Sequence, residues 1–297
     1  MDQAAQIVVT GFHRSGTSMA MQALKKAGLD IGDSLLGAAP SNPDGHFEDI
    51  EAVKLHDTWL ADAGTDWCCT EQLPAVDASD AKRGIESISQ RLGAEQTTWG
   101  MKDPRAALYL NEWFNQLSNP YAVLVYRHFA SCASSLQRRQ AGTLFTQPSD
   151  KHDRIRFWMD PHVALKSWLV HNQAILKHIK NNPDRCVLVS QESQLAGFNL
   201  ASIVASRFPI NLRVDSESGV DINKSTFEKT ITLDAKPLQQ ALEDTWAELQ
   251  NLSQAPAATY PSVDWSKPAE DVSDEAVSNA LAQLHASWDK LGVPASH

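Results

Sequence analysis

The sequence predicts an α/β fold of three layers, a central parallel sheet flanked by helices with extra helices at the C-terminus. Three observations predict it. Short β-branched and apolar runs recur at Ile7–Thr10, Tyr121–Tyr126 and Cys186–Ser190, as buried parallel strands do. Segments with apolar residues at helical spacing separate them, which covers such a sheet on both faces. Two of the strand ends run directly into segments carrying arginine and serine, at the edge of the sheet where ligands of this fold class bind.

The elements follow in order. The run Ile7–Thr10 stops at Gly11, and residues 12–16 read as a loop. From Thr17 the pattern turns helical, with Ala20, Leu24 and Ala27 on one face and Gly28 as the C-terminal stop. Leu36–Gly45, rich in Pro, Gly, Ser and Asn, reads as a loop, and Asp49–Leu60 as a helix with Val53, Leu55 and Leu60 partly buried. Residues 62–98 are irregular apart from a helix over Ser79–Leu92. After Tyr121–Tyr126 comes Arg127, then a helix from Phe129 to about Arg139; residues 140–161, with Gly142, Pro148 and Pro161, read as an exposed loop or lid. Val163–Lys180 is strongly amphipathic, with Leu165, Trp168, Leu169, Ile175, Leu176 and Ile179 on one face. Two more helices are expected at Pro237–Leu252 and Ser273–Leu291.

Composition narrows the function. The chain has 297 residues, 42 % of them apolar, enough for one large domain. A formal net charge of −10 argues against nucleic acid or an anionic membrane as partner, so an anionic ligand would need a local basic pocket. Cys68, Cys69, Cys132 and Cys186 show no C-x-x-C spacing and read as free thiols of a reducing compartment. No signal-like or membrane-spanning run is visible, so a cytoplasmic protein is expected. The tryptophans at 59, 67, 99, 113 and 158 read as core or cleft walls, and His152, His162, His171 and His178 as scattered structural residues.

The segment Gly11-Phe-His-Arg-Ser-Gly-Thr-Ser18 joins the first strand to the first helix and spaces Gly11 and Gly16 as a P-loop does. The backbone N–H groups of residues 14–18 and the helix N-terminus would wrap an anion, assisted by the hydroxyls of Thr17 and Ser18. A kinase or nucleotide hydrolase would carry lysine directly after the second glycine; here that position is Thr17, and the cation is Arg14. The alternative is a plain strand–turn–helix connection.

This loop resembles the 5′-phosphosulfate loop of sulfotransferases that use 3′-phosphoadenosine 5′-phosphosulfate (PAPS), where Lys or Arg precedes Ser-Gly-Thr, and it is especially similar to bacterial members of that family. The resemblance continues in Asn42-Pro-Asp-Gly-His-Phe-Glu48, Trp99-Gly-Met-Lys-Asp-Pro-Arg105 and Leu124-Val-Tyr-Arg-His128. It implies a P-loop-like fold, with the 5′ side of PAPS on Arg14, Ser15, Gly16, Thr17 and Ser18. It implies that Arg127 and Ser135, eight residues apart, hold the 3′-phosphate, with Ser134 as another candidate. It also implies a Glu or His as general base; Glu48 is favoured over His46, on the expectation that apolar Phe47 raises its pKa. The competing role for Glu48 is a charge at the start of the following helix. Lys102 is the candidate for charge on the leaving phosphate, with Asp103 orienting Lys102 or Arg105, and Arg14 also touching the transferring group; the alternative is a surface ion-pair cluster. No metal is implied.

The pattern departs from the family after the third strand, where relatives show Tyr-Glu-Asp and this chain has Gln191-Glu-Ser193. Asp221-Ile-Asn-Lys-Ser225, with Lys224, is a candidate substitute for the family's nucleotide-closing segment. The expectation is one domain over 1–297 with insertions near 62–98 and 140–162 that shape a small-molecule, lipid or saccharide acceptor site. A P-loop kinase and a non-catalytic nucleotide-binding module are the other readings.

Overall fold

The structure is a computed structural model that describes residues 4–37, 45–94, 97–146, 157, 160, 162–214 and 229–265. Asn42–Asp44, His152, Trp158, Asp221–Ser225, the helix expected at Ser273–Leu291 and most of the expected lid lie outside the described residues.

The chain runs β1 (Gln6–Thr10), α1 (Thr17–Lys26), α2 (Ile50–Asp62), α3 (Ala78–Leu92), β2 (Trp99–Lys102), α4 (Leu110–Gln116), β3 (Pro120–Tyr126), α5 (Phe129–Thr146), α6 (Val163–Asn181), β4 (Cys186–Ser190), α7 (Gln191–Leu195), α8 (Leu200–Arg207), β5 (Thr230–Thr232), α9 (Gln239–Leu252) and β6 (Ser262–Asp264). Four strands form one parallel sheet in the order β2-β1-β3-β4, and β5 and β6 pair separately. The sheet places Thr10, Lys102, Tyr126 and Ser190 along one edge, the carboxyl ends of all four strands.

Side chains alternate across this sheet with period two. Val8, Leu124, Tyr126 and Leu188 face the larger core, built with α2 to α6 and α9. Ile7, Val9, Val123, Val125, Val187 and Val189 face the smaller one, built with α1 and α8. Both faces are therefore buried, which is why the strands read as continuous apolar runs. The edge strand β2 was not legible as a strand, since Trp99-Gly-Met-Lys102 has no β-branched residue. The helix after β3 runs past Arg139 to Thr146, so the start of the expected loop is helical. Gly28 ends α1 as expected, in the left-handed region at φ 102°.

A buried polar chain fixes the turn after β2. Asp103 Oδ1 accepts from the backbone N–H and from Nη1 of Arg105 at 3.1 and 3.0 Å, and Oδ2 accepts from His56 Nδ1 at 2.7 Å. Trp113 Nε1 donates to His56 Nε2 at 2.9 Å. An indole N–H only donates, so the His56 proton lies on Nδ1 and goes to Asp103. Burial opposes the charge on Asp103, but the Arg105 guanidinium and the His56 N–H outweigh it and hold its carboxyl well below the usual carboxylate range. Replacing His56→Leu strands the Trp113 N–H and one Asp103 oxygen; it is expected to cost about 2 kcal/mol, read as a lower urea midpoint at unchanged slope.

His171 and His178 are buried in α6, and burial lowers both from 6.5 to about 4. The unfolded chain protonates them first as pH falls, so their contribution is complete above about 6.5 and is lost on the way down to about 4. Thermal midpoints are expected to fall across that window, each histidine adding up to about 1.4 kcal/mol per pH unit, with a shallower fall in His178→Asn.

Candidate functional site

The loop after β1 is shaped by two close approaches. A Cβ on Gly11 would sit 1.9 Å from the Val125 carbonyl oxygen, so only glycine lets the loop leave the sheet this near β3. Gly16, at φ 91°, caps α1 with Gln191 directly behind it, where a Cβ would lie 2.8 Å from Gln191 Cγ. Arg14 is left-handed at φ 69°, an uncommon state for a non-glycine residue that is found at ligand clamps. The Ser15 N–H closes a turn onto the Phe12 carbonyl at 3.1 Å. The first-turn N–H groups of α1, from Thr17 onward, have no acceptor within the helix and point along its positive end. The Ser15 hydroxyl faces Cys132 Sγ at 3.7 Å and its N–H is held by Phe12, so Ser15 shapes the loop from within.

Cations gather on one side of this loop. Arg14 Nε donates to Ser135 Oγ at 3.0 Å, and Arg127 Nη1 donates to the Arg14 carbonyl at 3.1 Å. Burial, then the guanidiniums of Arg139, Arg127 and Arg138, lower Arg14 from 12.5 to about 10. A protein of net charge −10 thus concentrates arginines in one place, and an anion bound there would relieve their mutual repulsion. Arg127 and Ser135 lie in one neighbourhood, bridged by Arg14 rather than by a bond to each other. Ser134 accepts from Arg138 at 2.6 Å. Burial raises the pKa of Glu192, which lies against Arg127 and the His128 N–H.

On the loop's other side lies a carboxylate–ammonium pair. Lys102, at the end of β2 and 1 % exposed, donates to Glu48 Oε1 at 2.7 Å, to the His46 carbonyl at 2.8 Å and to Ser18 Oγ at 3.2 Å. These three acceptors match the three N–H bonds of an ammonium. Burial pulls the Lys102 pKa down, and Glu48 opposes it. Asp49 caps α2 by accepting from the Ala52 N–H at 3.0 Å, which leaves the Glu48 side chain out of the cap. Phe47 turns into the smaller core, with its ring 5.9 Å from Lys25 Nζ, so the neighbours of Glu48 are cations rather than apolar surface. Arg105 Nη1 approaches its other oxygen at 4.0 Å. His46 is lowered from 6.5, chiefly by burial.

Glu48 and His46 open on a cleft of about 540 Å³ that also exposes His13, Trp67, Asp57 and Arg105. Trp67 and Asp66, from the segment that follows α2, also line the cleft. Sequence reasoning left out His13, although it stands inside the loop motif between Phe12 and Arg14. It also left out His56, whose part depends on Asp103, 47 residues away. Gln191, the first residue of α7, backs the loop at Gly16.

No protein-family model matches the chain, and no curated protein matches it in sequence. Among solved structures the chain is similar to the sulfotransferase domain of the Synechococcus PCC 7002 olefin synthase, at 15 % identity and TM-score 0.39, covering 97 % of this chain and 94 % of that one. A sulfotransferase of Mycobacterium tuberculosis H37Rv matches at 13 % identity and TM-score 0.35, over 69 % and 66 % of the two chains. The sulfotransferase domain of the curacin biosynthetic pathway matches at 13 % identity and TM-score 0.33, over 96 % and 98 %. The solved structures to which this chain is similar thus include three sulfotransferases.

Proposed function

We propose that this protein is a sulfotransferase that moves a sulfuryl group from PAPS to a hydroxyl or amine of a small acceptor. One observation carries the reading: the loop between β1 and α1 lies between an arginine cluster and a carboxylate–ammonium pair that opens on a cleft. Two anionic groups on the donor match the two basic places, the loop over residues 14–18 and the neighbourhood of Arg127, Arg14 and Ser135.

In this reading Glu48 takes the proton of the acceptor as its oxygen or nitrogen bonds to sulfur, while the sulfur–oxygen bond to the donor phosphate breaks. The N–H groups at the start of α1 and the Thr17 hydroxyl receive the charge left on that phosphate, and the Ser18 hydroxyl joins them on turning from the His46 carbonyl, to which it donates at 3.2 Å. Lys102 holds Glu48 and the Ser18 hydroxyl together; exchanging its Ser18 contact for a phosphate oxygen would put its charge on the leaving group. Arg105, held by Asp103 and Asp57, sets the far side of Glu48. Among the described residues no helix is long and apolar enough to cross a membrane. A donor made in the cytoplasm places the reaction there.

Calorimetric titration with 3′-phosphoadenosine 5′-phosphate (PAP) is expected to show binding that weakens at least tenfold in Arg127→Ala and falls steeply with salt, with no binding of ATP·Mg²⁺. Tight triphosphate binding with none for PAP would replace the sulfotransferase by a kinase. With labelled PAPS and a mixed panel of glycosides, phenols and amines, Glu48→Gln is expected to lose transfer by about a hundredfold or more while keeping PAP affinity. Unchanged transfer would remove Glu48 as the base.

A further inference from the structure

A sulfuryl group that leaves the loop after β1 for an acceptor beside Glu48 carries negative charge on its outer oxygens throughout, and that charge has to be met along the way. The cations on either side are engaged elsewhere. Lys102 gives its three N–H bonds to Glu48, the His46 carbonyl and Ser18, and Arg105 is held by Asp103 and Asp57. Arg14 donates from Nε to Ser135.

The phase of α5 brings a further arginine to the crossing. Ser131, Ser135 and Arg139 follow at intervals of four residues, so they share one face of the helix. The two serines are 6 and 7 % exposed, and Ser135 meets Arg14 of the loop. Arg139 stands one turn further on, about 5.4 Å along the helix axis. It is half-buried and lines the cleft together with His46, Glu48 and Gln140. One face of α5 thus runs from the donor loop into the acceptor cleft.

The charges around Arg139 agree with that place. Burial does most to hold the pKa values of Arg14, His13 and His46 down, and the Arg139 guanidinium adds to it at all three. At Arg14 it is the largest of the charges, ahead of Arg127. Arg14 belongs to the loop, whereas His13 and His46 line the cleft, so the guanidinium lies near both. A guanidinium has five N–H donors in one plane, so bonds made within the protein still leave donors for a ligand. Its fork suits two oxygens of one anionic group.

We infer that Arg139 is a catalytic residue that grips the sulfuryl group itself, donating to its outer oxygens in the bound donor and throughout the transfer. The inference rests on the transfer reading above and adds a residue to it. An acceptor oxygen or nitrogen bonds to sulfur while the bond from sulfur to the phosphate oxygen breaks. That oxygen keeps the electron pair, and the acceptor proton goes to Glu48. Arg139 gives up no proton and balances the charge on the oxygens that travel.

PAPS and PAP differ by the sulfuryl group alone, so the two ligands together isolate this contact without an acceptor. The full chain and its Arg139→Gln, Arg139→Ala and Arg139→Lys variants are titrated with each by calorimetry. Arg139→Gln and Arg139→Ala are expected to weaken PAPS about tenfold while PAP affinity stays within about twofold, which also reports that the variants fold; Arg139→Lys is expected to fall between. Transfer from labelled PAPS to the panel of glycosides, phenols and amines is expected to drop about a hundredfold or more in Arg139→Ala and to recover in part on adding guanidinium ion. A PAPS affinity that moves in step with that of PAP, whether both fall or neither does, overturns the inference and leaves the sulfotransferase reading in place. A wild-type protein that binds neither ligand overturns both.

Discussion

The buried ammonium of Lys102 joins three parts of the chain that are far apart in sequence. It stands at the end of β2 and ties down the Ser18 hydroxyl at the start of α1, the backbone at His46 and the Glu48 carboxylate. An ion this deeply buried is tolerable only when all its donors are used, and that condition dictates the geometry around it. The segment from His46 to Glu48 must lie over the loop, Asp49 must begin α2, and the cleft must open on the Glu48 side. Beneath this, the Arg105–Asp103–His56–Trp113 chain extends the same logic into the core. Glu48 is held by Lys102 and approached by Arg105, so the carboxylate proposed to take a proton is already oriented.

The sheet was legible because its strands are buried on both faces and therefore apolar throughout. Three of its four strands could be read from the residues alone. The fourth, β2, is an edge strand whose identity comes from pairing with β1, from Gln6 opposite Trp99 to Val9 opposite Lys102, and nothing local in Trp-Gly-Met-Lys announces it. The length of α5 was misjudged because Gly142, Pro148 and Pro161 together read as a loop, whereas the helix carries on to Thr146.

The loop and its arginines were legible as a motif, because glycine spacing and a strand–helix junction impose a local shape. How the side chains divide was not. Arg14 reaches Ser135, the Ser15 hydroxyl turns to Cys132, and Phe47 leaves Glu48 for the smaller core. Each of these depends on which helix packs over the loop, a long-range fact that local sequence does not hold. The same holds for His56, one polar residue on an amphipathic helix until Asp103 and Trp113 meet it.

Neighbouring residues of the loop serve different sides of the site: Arg14 reaches the arginine cluster at α5, and His13 lies on Trp67 in the cleft. Both directions are set by the left-handed backbone at Arg14 and by the contact of Gly11 with the Val125 carbonyl. A single inserted or deleted residue between Gly11 and Gly16 would shift this register and move the cation out of its place. Sequence change along this lineage is therefore expected to alter the chemistry of individual loop side chains while leaving the number of residues between the two glycines untouched.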